Sequence, residues 1–368
     1  MSIDQKKITI LLPFFRDGGV ERAMINLSQG LVDEGYAVEF VFMTKAEGPL
    51  KKEIPPQCTL FEINAKGILS SLLPMVRYLR KEKPRVLLSV LTPANILAVL
   101  AKKLSAVKVR TIVSVQVSVQ TPLSTTPLKA KLRPLFSKFF YKQSDAIVAA
   151  SKGVAEDLKT FAVPNSKITV IYNPVVPSDI EIKASEKVQD EWYENNTSPI
   201  ILGAGRLHKQ KDFPTLLKAF ALVRKVQPAR LVIIGEGEDR TMLEELARTL
   251  KIDHDTKFVG FVQNPYSYMR NSSVFVLSSA WEGFGNVVAE ALAVGTPVVS
   301  TDGPWGPAEI LDNGTYGKLV PVGDVHALAR SIEEAVAEKT DSAVLINRAA
   351  QFSIPVITKQ YLKVMQIN

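Results

Sequence analysis

Short apolar runs alternate along the chain with stretches in which apolar positions recur every three or four residues. Before residue 172 the apolar runs are 8–15, 38–43, 86–91, 110–115, 146–149 and 168–171; after residue 199 they are 200–203, 230–234, 257–259, 274–277, 297–300 and 317–320. Nearly continuous apolar strands separated by helices are typical of parallel sheets covered on both faces. The pattern therefore predicts an α/β protein with two successive doubly wound domains.

A polar, charge-rich stretch over residues 173–198 separates the two series of strands and is typical of a linker. We expect an N-terminal domain over residues 1–172 and a C-terminal domain that begins at residue 199. In doubly wound sheets, ligands bind outside the carboxyl ends of the strands, where the strand order reverses. Two such sheets facing across a cleft would place the functional residues at strand ends.

Composition narrows the class of protein. The chain has 368 residues, a single cysteine (Cys58) and three histidines, so it has no intramolecular disulfide, no cysteine metal cluster and little material for a histidine metal site. Residues 1–15 hold two lysines and an apolar run but no small-residue cleavage site, which favours a first strand over a signal peptide. We expect a cytoplasmic protein.

The positive charge is concentrated in the first half of the chain. The net charge is +8, with 25 basic and 14 acidic residues over 1–180 and 20 basic and 23 acidic residues over 181–368. The basic half predicts an anionic partner, such as a phospholipid surface or a phosphorylated substrate; a solvated lysine-rich surface is the alternative. The chain contains no recognisable nucleic-acid-binding module, so nucleic acid is not an expected partner.

Two glycine motifs follow the first strands of the two halves. Gly18 and Gly19 come before a helical pattern over 23–31, where backbone amides can approach an anion, although a tight turn explains the pair equally simply. In the second half, Gly203-Ala-Gly-Arg-Leu-His lacks the third glycine of a dinucleotide fingerprint. Arg206 and Lys211 would suit a diphosphate, with a surface cluster of basic residues as the alternative.

The segment 278–300 is the most informative one. Glu282 lies in a loop after a predicted strand, and Glu290 lies in a predicted helix over Asn286–Ala293. Carboxylates accept paired hydrogen bonds from vicinal hydroxyls, and amides near Gly283–Gly285 at the helix N-terminus can hold a phosphate. Such acids are usually solvated, but the apolar neighbours of both disfavour that interpretation.

An acidic pair, Asp253 and Asp255, flanks His254 and matches a D-x-D pattern that can hold a metal-bound sugar nucleotide. It lies in a polar turn beside no glycine-rich loop. We expect a solvated turn there and no metal site.

These motifs, in this order and at strand ends, resemble glycosyltransferase family 4, retaining enzymes of the GT-B fold, and the resemblance covers nearly the whole chain. It implies that Arg206 and Lys211 bind the donor diphosphate and that Glu290 binds the ribose. It also implies that Glu282 contacts the donor hexose. The resemblance assigns further donor contacts to Gly18, Gly19, Gly260, Phe261, Val262, Gly283, Phe284, Gly285 and Asn286.

The resemblance also implies the bounds of the C-terminal domain and of the last helix, and it implies which groups carry the reaction. A C-terminal domain over 199–352 would bind the nucleotide sugar, and a helix over 353–368 would return to the acceptor-binding N-terminal domain. Many members carry a histidine after the strand at 110–115 that contacts the transferred sugar; Gln116 is our candidate for its place. No cofactor and no metal are expected, because basic side chains and a helix dipole supply the electrostatic stabilisation, with Glu282, Arg206 and Lys211 as the catalytic set.

The segment 301–310 resembles members that use UDP-linked galactose-type or N-acetylhexosamine donors. The expected reaction is transfer to a hydroxyl of a glycan, lipid-linked or part of an envelope polysaccharide. The alternatives are a GDP-mannose-dependent mannosyltransferase, a UDP-sugar epimerase of similar fold and a phosphorylase-like relative. Residues 129–142 interleave lysines with aromatic residues, which indicates peripheral binding to the cytoplasmic face of the inner membrane or, alternatively, a core-facing helix with a basic outer side.

Overall fold

The computed structural model describes residues 6–15, 18–117, 139–160, 163–195 and 198–367. The chain divides into two compact units. Unit 1 comprises the residues up to Pro174 and those from Ile354 onward, and unit 2 comprises Val175–Ser353. Each unit is a parallel sheet with helices packed on it. The prediction of an α/β protein with two doubly wound, Rossmann-like domains is confirmed.

Unit 1 contains a parallel sheet of seven strands within the described residues, in the order β3-β2-β1-β4-β5-β6-β7. Its strands are β1 (Lys7–Leu12), β2 (Ala37–Phe42), β3 (Thr59–Glu62), β4 (Val86–Val90), β5 (Arg110–Val115), β6 (Ala146–Ala149) and β7 (Ile168–Val170). Its helices are α1 (Gly19–Asp33), α2 (Ile68–Glu82), α3 (Thr92–Ser105), α4 (Lys152–Thr160) and α14 (Ile354–Met365). The strand order reverses between β1 and β4.

The two faces of the unit 1 sheet have separate cores, because alternate residues of a strand point to opposite faces. Ile10 of β1 packs in the cluster that includes residues of α1 and α14. Leu11, the next residue, packs in the cluster formed with α2 and α3. The last helix, α14, therefore covers the same face as α1, and the two helices contact each other.

Unit 2 contains a parallel sheet of six strands within the described residues, in the order β10-β9-β8-β11-β12-β13. Its strands are β8 (Ile200–Ala204), β9 (Arg230–Ile234), β10 (Thr256–Gly260), β11 (Val274–Leu277), β12 (Val298–Thr301) and β13 (Lys318–Val320). Its helices are α5 (Ile180–Ala184), α6 (Glu191–Asn195), α7 (Phe213–Val226), α8 (Arg240–Thr249), α9 (Pro265–Arg270), α10 (Asn286–Ala293), α11 (Pro307–Ile310), α12 (Val325–Ala337) and α13 (Ser342–Ala349). The order reverses between β8 and β11.

From Val175 onward, the described part of the stretch that composition marks as a linker, 173–198, belongs to unit 2. Helix α5 contacts α9, and Asn264 donates to the Lys183 carbonyl oxygen at 2.7 Å. Two cations lie over the Trp192 ring, with the Arg230 guanidinium carbon 4.8 Å and Lys257 Nζ 4.4 Å from its centroid. These contacts with distant residues are invisible in a composition window, which registers only the many charges.

The apolar runs predict the buried strands well and fail at one exposed strand. Strands β5, β6, β9 and β11 have the predicted ends, and the predicted helix over Asn286–Ala293 is confirmed residue for residue. The sequence analysis did not predict β3, an edge strand whose residues are mostly exposed. An exposed strand has no need of an apolar run, so it leaves no such signal.

The basic stretch 129–142 lies mostly outside the described residues, as do Arg16 and Asp17 of the first glycine motif. Of this stretch, Tyr141 is buried, and its hydroxyl lies 3.4 Å from Asn95 Nδ2 and 3.3 Å from Thr92 Oγ1. Tyr141 therefore belongs to the interior of unit 1. In the described part of the chain, no helix combines the length and apolarity needed to cross a bilayer.

Candidate active site

The sequence motifs of unit 2 meet where the strand order of its sheet reverses. Strands β8 and β11 are neighbours, so the segments that follow them leave the sheet side by side at its carboxyl edge. The segment after β8 carries Arg206 and Lys211, and the one after β11 carries Glu282. A reversal of strand order opens a crevice at this edge, which is the usual ligand position in doubly wound sheets.

An ion pair joins the two segments. Lys211 Nζ lies 2.5 Å from Glu282 Oε1, and the two side chains are only 17% and 10% exposed. Ser279 Oγ donates to the same carboxylate oxygen at 2.8 Å. Glu282 is thus held as a hydrogen-bond acceptor beside a partly buried cation, and the Lys211 ammonium is paired with it within unit 2.

Hydrogen bonds to backbone carbonyl oxygens hold these segments together. Ser278 Oγ donates to the Lys211 carbonyl oxygen at 2.7 Å, and the Ala280 amide donates to the Gln210 carbonyl oxygen at 2.8 Å. Gln210 Nε2 donates to the Trp281 carbonyl oxygen at 2.9 Å. The backbone around Lys211 is therefore positioned by bonds that do not involve its charge.

Sequence reasoning missed Gln210, Ser278 and Ser279. The available signal was their position, because Ser278 follows the last residue of β11 directly and Gln210 precedes Lys211. A search of strand ends for any hydrogen-bonding side chain, and not only for charged ones, would have found them.

Arg206 differs from Lys211 in its surroundings. Its residue is exposed, and among the described residues no hydrogen bond or ion pair to its side chain is present. A guanidinium in water keeps its five donors available to a planar oxyanion. Lys211 is therefore already paired, whereas the Arg206 side chain on the same segment remains open to solvent.

Helix α10 begins directly after the Glu282 loop. Gly285 precedes it with φ +94° and offers no side-chain cap, so the helix N-terminus has no capping side chain. Glu290 lies on the last two turns and is 4% exposed. Phe284 packs edge to face on Phe352, with ring centroids 5.4 Å apart, which anchors the loop before the helix. Gly283 is buried beside Phe284, and Asn286 is the first residue of the helix.

The segment after β12 packs tightly on this loop. Thr301 Oγ1 donates to the Ser279 carbonyl oxygen at 2.6 Å. A Cβ atom on Gly306, whose φ is +87°, would lie 2.2 Å from the Phe284 carbonyl oxygen. Only glycine fits this close approach, so the 301–310 segment supports the loop that carries Glu282.

At the carboxyl ends of the neighbouring strands β9 and β10, glycine residues leave the backbone uncovered by side chains. The Gly235 amide donates to the Gly260 carbonyl oxygen at 2.7 Å, and a Cβ atom on Gly235 would lie 2.0 Å from the Gly205 carbonyl oxygen. Phe261, the residue after β10, is 40% exposed, and Val262 is half-buried. The ends of β8, β9 and β10 thus form a flat, glycine-lined edge beside the Lys211 segment.

The candidate residues of unit 1 lie on separate strands. Gly19 begins α1 after β1, and Gly18 precedes it in an extended conformation with φ −124°. Gln116 follows β5, and β4 lies between β5 and β1. The Gln116 side chain is buried, its Nε2 donates to Ser114 Oγ at 2.9 Å, and its Oε1 has no hydrogen-bond partner among the described residues.

The acidic pair flanking His254 lies at the surface. Asp255 Oδ2 accepts from Arg224 Nε at 2.8 Å, while the His254 side chain is 98% exposed. No group of three or more metal-ligating side chains occurs in the described ranges. The carboxylate of Asp255 has a structural role, which is to pair with the end of α7.

Two family models together span most of the chain. The model for glycosyl transferases group 1 matches residues 184–352, and that for glycosyltransferase family 4 matches residues 17–179. The chain belongs to glycosyltransferase family 4. The two Rossmann-like units are those of the GT-B fold, and the family assignment and fold class from the sequence are both confirmed.

Several similar proteins are named as glycosyltransferases. The chain is 28% identical over 361 residues to the lipopolysaccharide core biosynthesis glycosyltransferase LpsE of Rhizobium meliloti strain 1021, covering 96% of this chain and 97% of the relative. It is 32% identical over 220 residues to a diphospho-undecaprenol N-acetylgalactosaminyltransferase of Campylobacter jejuni, covering 57% and 58%. The crystal structure of Anabaena HepE with UDP-glucose aligns with a TM-score of 0.80 at 19% identity, covering 98% of this chain and 99% of that one.

Proposed function

We propose that this glycosyltransferase moves a hexose or N-acetylhexosamine, with retention of configuration, from a UDP-sugar to a hydroxyl of a lipid-linked or envelope glycan. The observation that carries the proposal is the Lys211–Glu282 pair at the strand-order reversal of unit 2. The names of the relatives of this protein support a lipid-linked or lipopolysaccharide acceptor. HepE, a structural neighbour, binds UDP-glucose.

The charges of unit 2 suit a departing diphosphate. Arg206 offers a planar fork, Lys211 a partly buried ammonium and α10 an uncapped N-terminus, and all three favour negative charge. Stabilising the charge that builds up in the transition state accounts for most of the rate enhancement in many enzymes. The acceptor hydroxyl would attack from the face that the diphosphate leaves.

The carboxylates would bind the donor's hydroxyl groups. Glu282 would contact the hexose and Glu290 the ribose, while the glycine-lined ends of β8, β9 and β10, with Phe261 and Val262, would hold the base through the backbone. Burial of both acids supports this assignment, because a buried carboxylate binds hydroxyls more strongly than one that competes with water. Gly18, Gly19 and Gln116 would be the contributions of unit 1.

A panel of UDP-, GDP- and ADP-sugars tests the reaction class. We expect slow release of free UDP from one UDP-sugar and, with acceptor, a product whose anomeric configuration by NMR matches the donor. An interconverted sugar nucleotide would instead identify an epimerase, and stabilisation by GDP alone in a thermal shift would favour GDP-mannose. Near-normal turnover of a folded Glu290→Ala variant would contradict the assignment of Glu290.

A further inference from the structure

Helix α2 carries an apolar stripe on its outer face. Leu69 is 86% exposed, more than any other large apolar side chain of the described residues, and Leu73, one turn later, is 65% exposed. Leu104, near the end of the adjacent helix α3, is 52% exposed. Single exposed leucines are common on protein surfaces, but two on successive turns of one helix, on a surface that also carries basic side chains, indicate a contact surface.

The same two helices carry several basic residues, mostly towards their C-terminal ends. Those within α2 and α3 are Arg77, Arg80, Lys81, Lys102 and Lys103. The one acid in the two helices is Glu82, which accepts a hydrogen bond from Lys7 Nζ at 2.6 Å. Lys102 is paired with Asp145, whereas Arg77 and Lys103 have no ion pair among the described residues. The outer face is therefore apolar and cationic together.

The two helices form one firm surface. Arg80 Nη2 donates to the Leu104 carbonyl oxygen at 3.0 Å, and Arg80 Nε donates to the Ser105 carbonyl oxygen at 3.3 Å. Beneath them, Met75 and Leu79 of α2 share a buried cluster with residues of α3 and the sheet. Core packing thus uses the inner face of each helix and leaves the leucine stripe on the outer face.

We propose that the outer face of α2 and α3 docks this protein on an anionic lipid surface. The leucines would enter the headgroup region while Arg77 and Lys103 contact lipid phosphates. A second copy fits poorly, because a two-fold interface would place two cationic faces opposite each other. The proposal rests on the proposed function only in that a lipid-linked acceptor gives such docking a use.

Cosedimentation of the full chain with vesicles tests the proposal. We expect binding to vesicles that contain phosphatidylglycerol, weak binding to phosphatidylcholine alone, and release at high salt. Leu69→Ser with Leu73→Ser should lower partitioning about tenfold or more, because two exposed apolar anchors are lost. The matched control, Ile182→Ser with Val226→Ser, removes side chains that are 71% and 72% exposed on unit 2 and should change nothing.

A second variant removes two positive charges from the same helices. Arg77→Gln with Lys103→Gln should weaken binding to the anionic vesicles several-fold and leave the weak zwitterionic binding as it is. Failure of the unsubstituted protein to bind, or full binding by the leucine variant, overturns the proposal. The proposal is also overturned if vesicle binding is lost only in Lys→Glu variants within 129–142. A dimer in solution that the leucine variant abolishes, without any vesicle binding, overturns it as well.

Donor hydrolysis in vesicle-free solution is measured on the same samples. It should be unchanged in the leucine variant, since this stripe contains none of the residues proposed to bind the donor. Vesicle binding without hydrolysis of any UDP-sugar would leave the docking surface standing and refute the proposed function. Hydrolysis of a UDP-sugar without vesicle binding would refute the docking surface and leave the proposed function standing.

Discussion

The carboxyl edges of the two sheets are organised differently. In unit 2, the candidate residues lie on the segments after two adjacent strands, β8 and β11, and hydrogen bonds join these segments at several points. In unit 1, Gly19 and Gln116 follow β1 and β5, with β4 between them. The comparison indicates that the candidate residues of unit 2 are joined to one another within that unit, whereas those of unit 1 lie apart on its sheet. The effect of substitutions should therefore be largest in unit 2.

The largest effect is expected from Lys211→Ala. Removing the partly buried ammonium that is proposed to bind the leaving diphosphate should lower the rate of sugar transfer on the order of 100- to 1000-fold. Steady-state kinetics with the preferred UDP-sugar measure this effect. Lys209→Ala, two residues away and exposed, is the control and should retain its rate. Equal losses in both variants would show that the site depends on general surface charge and would refute the comparison.

The tight support of the Glu282 loop predicts a stability effect at Gly306. An alanine there meets both an unfavourable φ and the Phe284 carbonyl oxygen, so Gly306→Ala should lower the free energy of unfolding by about 3 kcal/mol. Gly323 also has a positive φ, +77°, but open space around it, so Gly323→Ala should cost about 1 kcal/mol. Urea unfolding compares them, and equal losses would contradict the tight packing.

A smaller effect is expected in unit 1. Gln116→Ala removes one amide from the sugar and should lower the transfer rate about tenfold, since one hydrogen bond is at stake. UDP affinity, measured by calorimetry, should stay the same because the proposed nucleotide site lies in unit 2. Gln143→Ala, a glutamine whose side chain donates to the nearby Phe139 carbonyl oxygen at 2.8 Å, serves as the control. A change in UDP affinity in Gln116→Ala would contradict the proposal that unit 2 alone binds the nucleotide.

The Lys211–Glu282 pair predicts opposite effects of one substitution on UDP binding and on sugar transfer. In Glu282→Gln the Lys211 ammonium loses its charged partner and becomes more available to phosphate, so UDP should bind about fivefold more tightly. Sugar transfer should nevertheless fall, because a neutral amide accepts hydrogen bonds from the proposed hexose hydroxyls more weakly than a carboxylate does. Calorimetry with UDP and kinetics on the same variant check both. Unchanged UDP affinity would mean that Lys211 does not face the diphosphate.

The smallest effect is expected at Tyr361 on the last helix. Its hydroxyl is fully buried near Ser114 but has no hydrogen-bond partner among the described residues, so Tyr361→Phe should change stability by less than about 0.5 kcal/mol. Tyr78 is the matched case, since its hydroxyl donates to Glu39 at 2.5 Å and lies 2.8 Å from Thr9 Oγ1. Tyr78→Phe should cost about 1 to 2 kcal/mol, measured by thermal and urea unfolding.

Local pattern was enough to predict the buried strands and the helix that carries Glu290. A strand buried on both faces must be apolar throughout, and the β11–turn–α10 segment shows each transition in its residues. Strand β3 and the packing of Trp192 escaped prediction because their signals depend on neighbours far along the chain. The choice of Gln116 rests on position alone and stays a prediction.

The sequence by itself determined the fold class, the family and the strand ends at which functional side chains occur, because these follow from periodicity and local motifs. Only the tertiary structure decided which of these side chains meet. Strand order brought Lys211 to Glu282 across 71 positions of sequence separation, and left Arg206 open to solvent. It also placed Leu69 and Leu73 outside the core, because α2 uses its other face against the sheet. Pairing and burial depend on contacts between distant segments, and no local pattern encodes them.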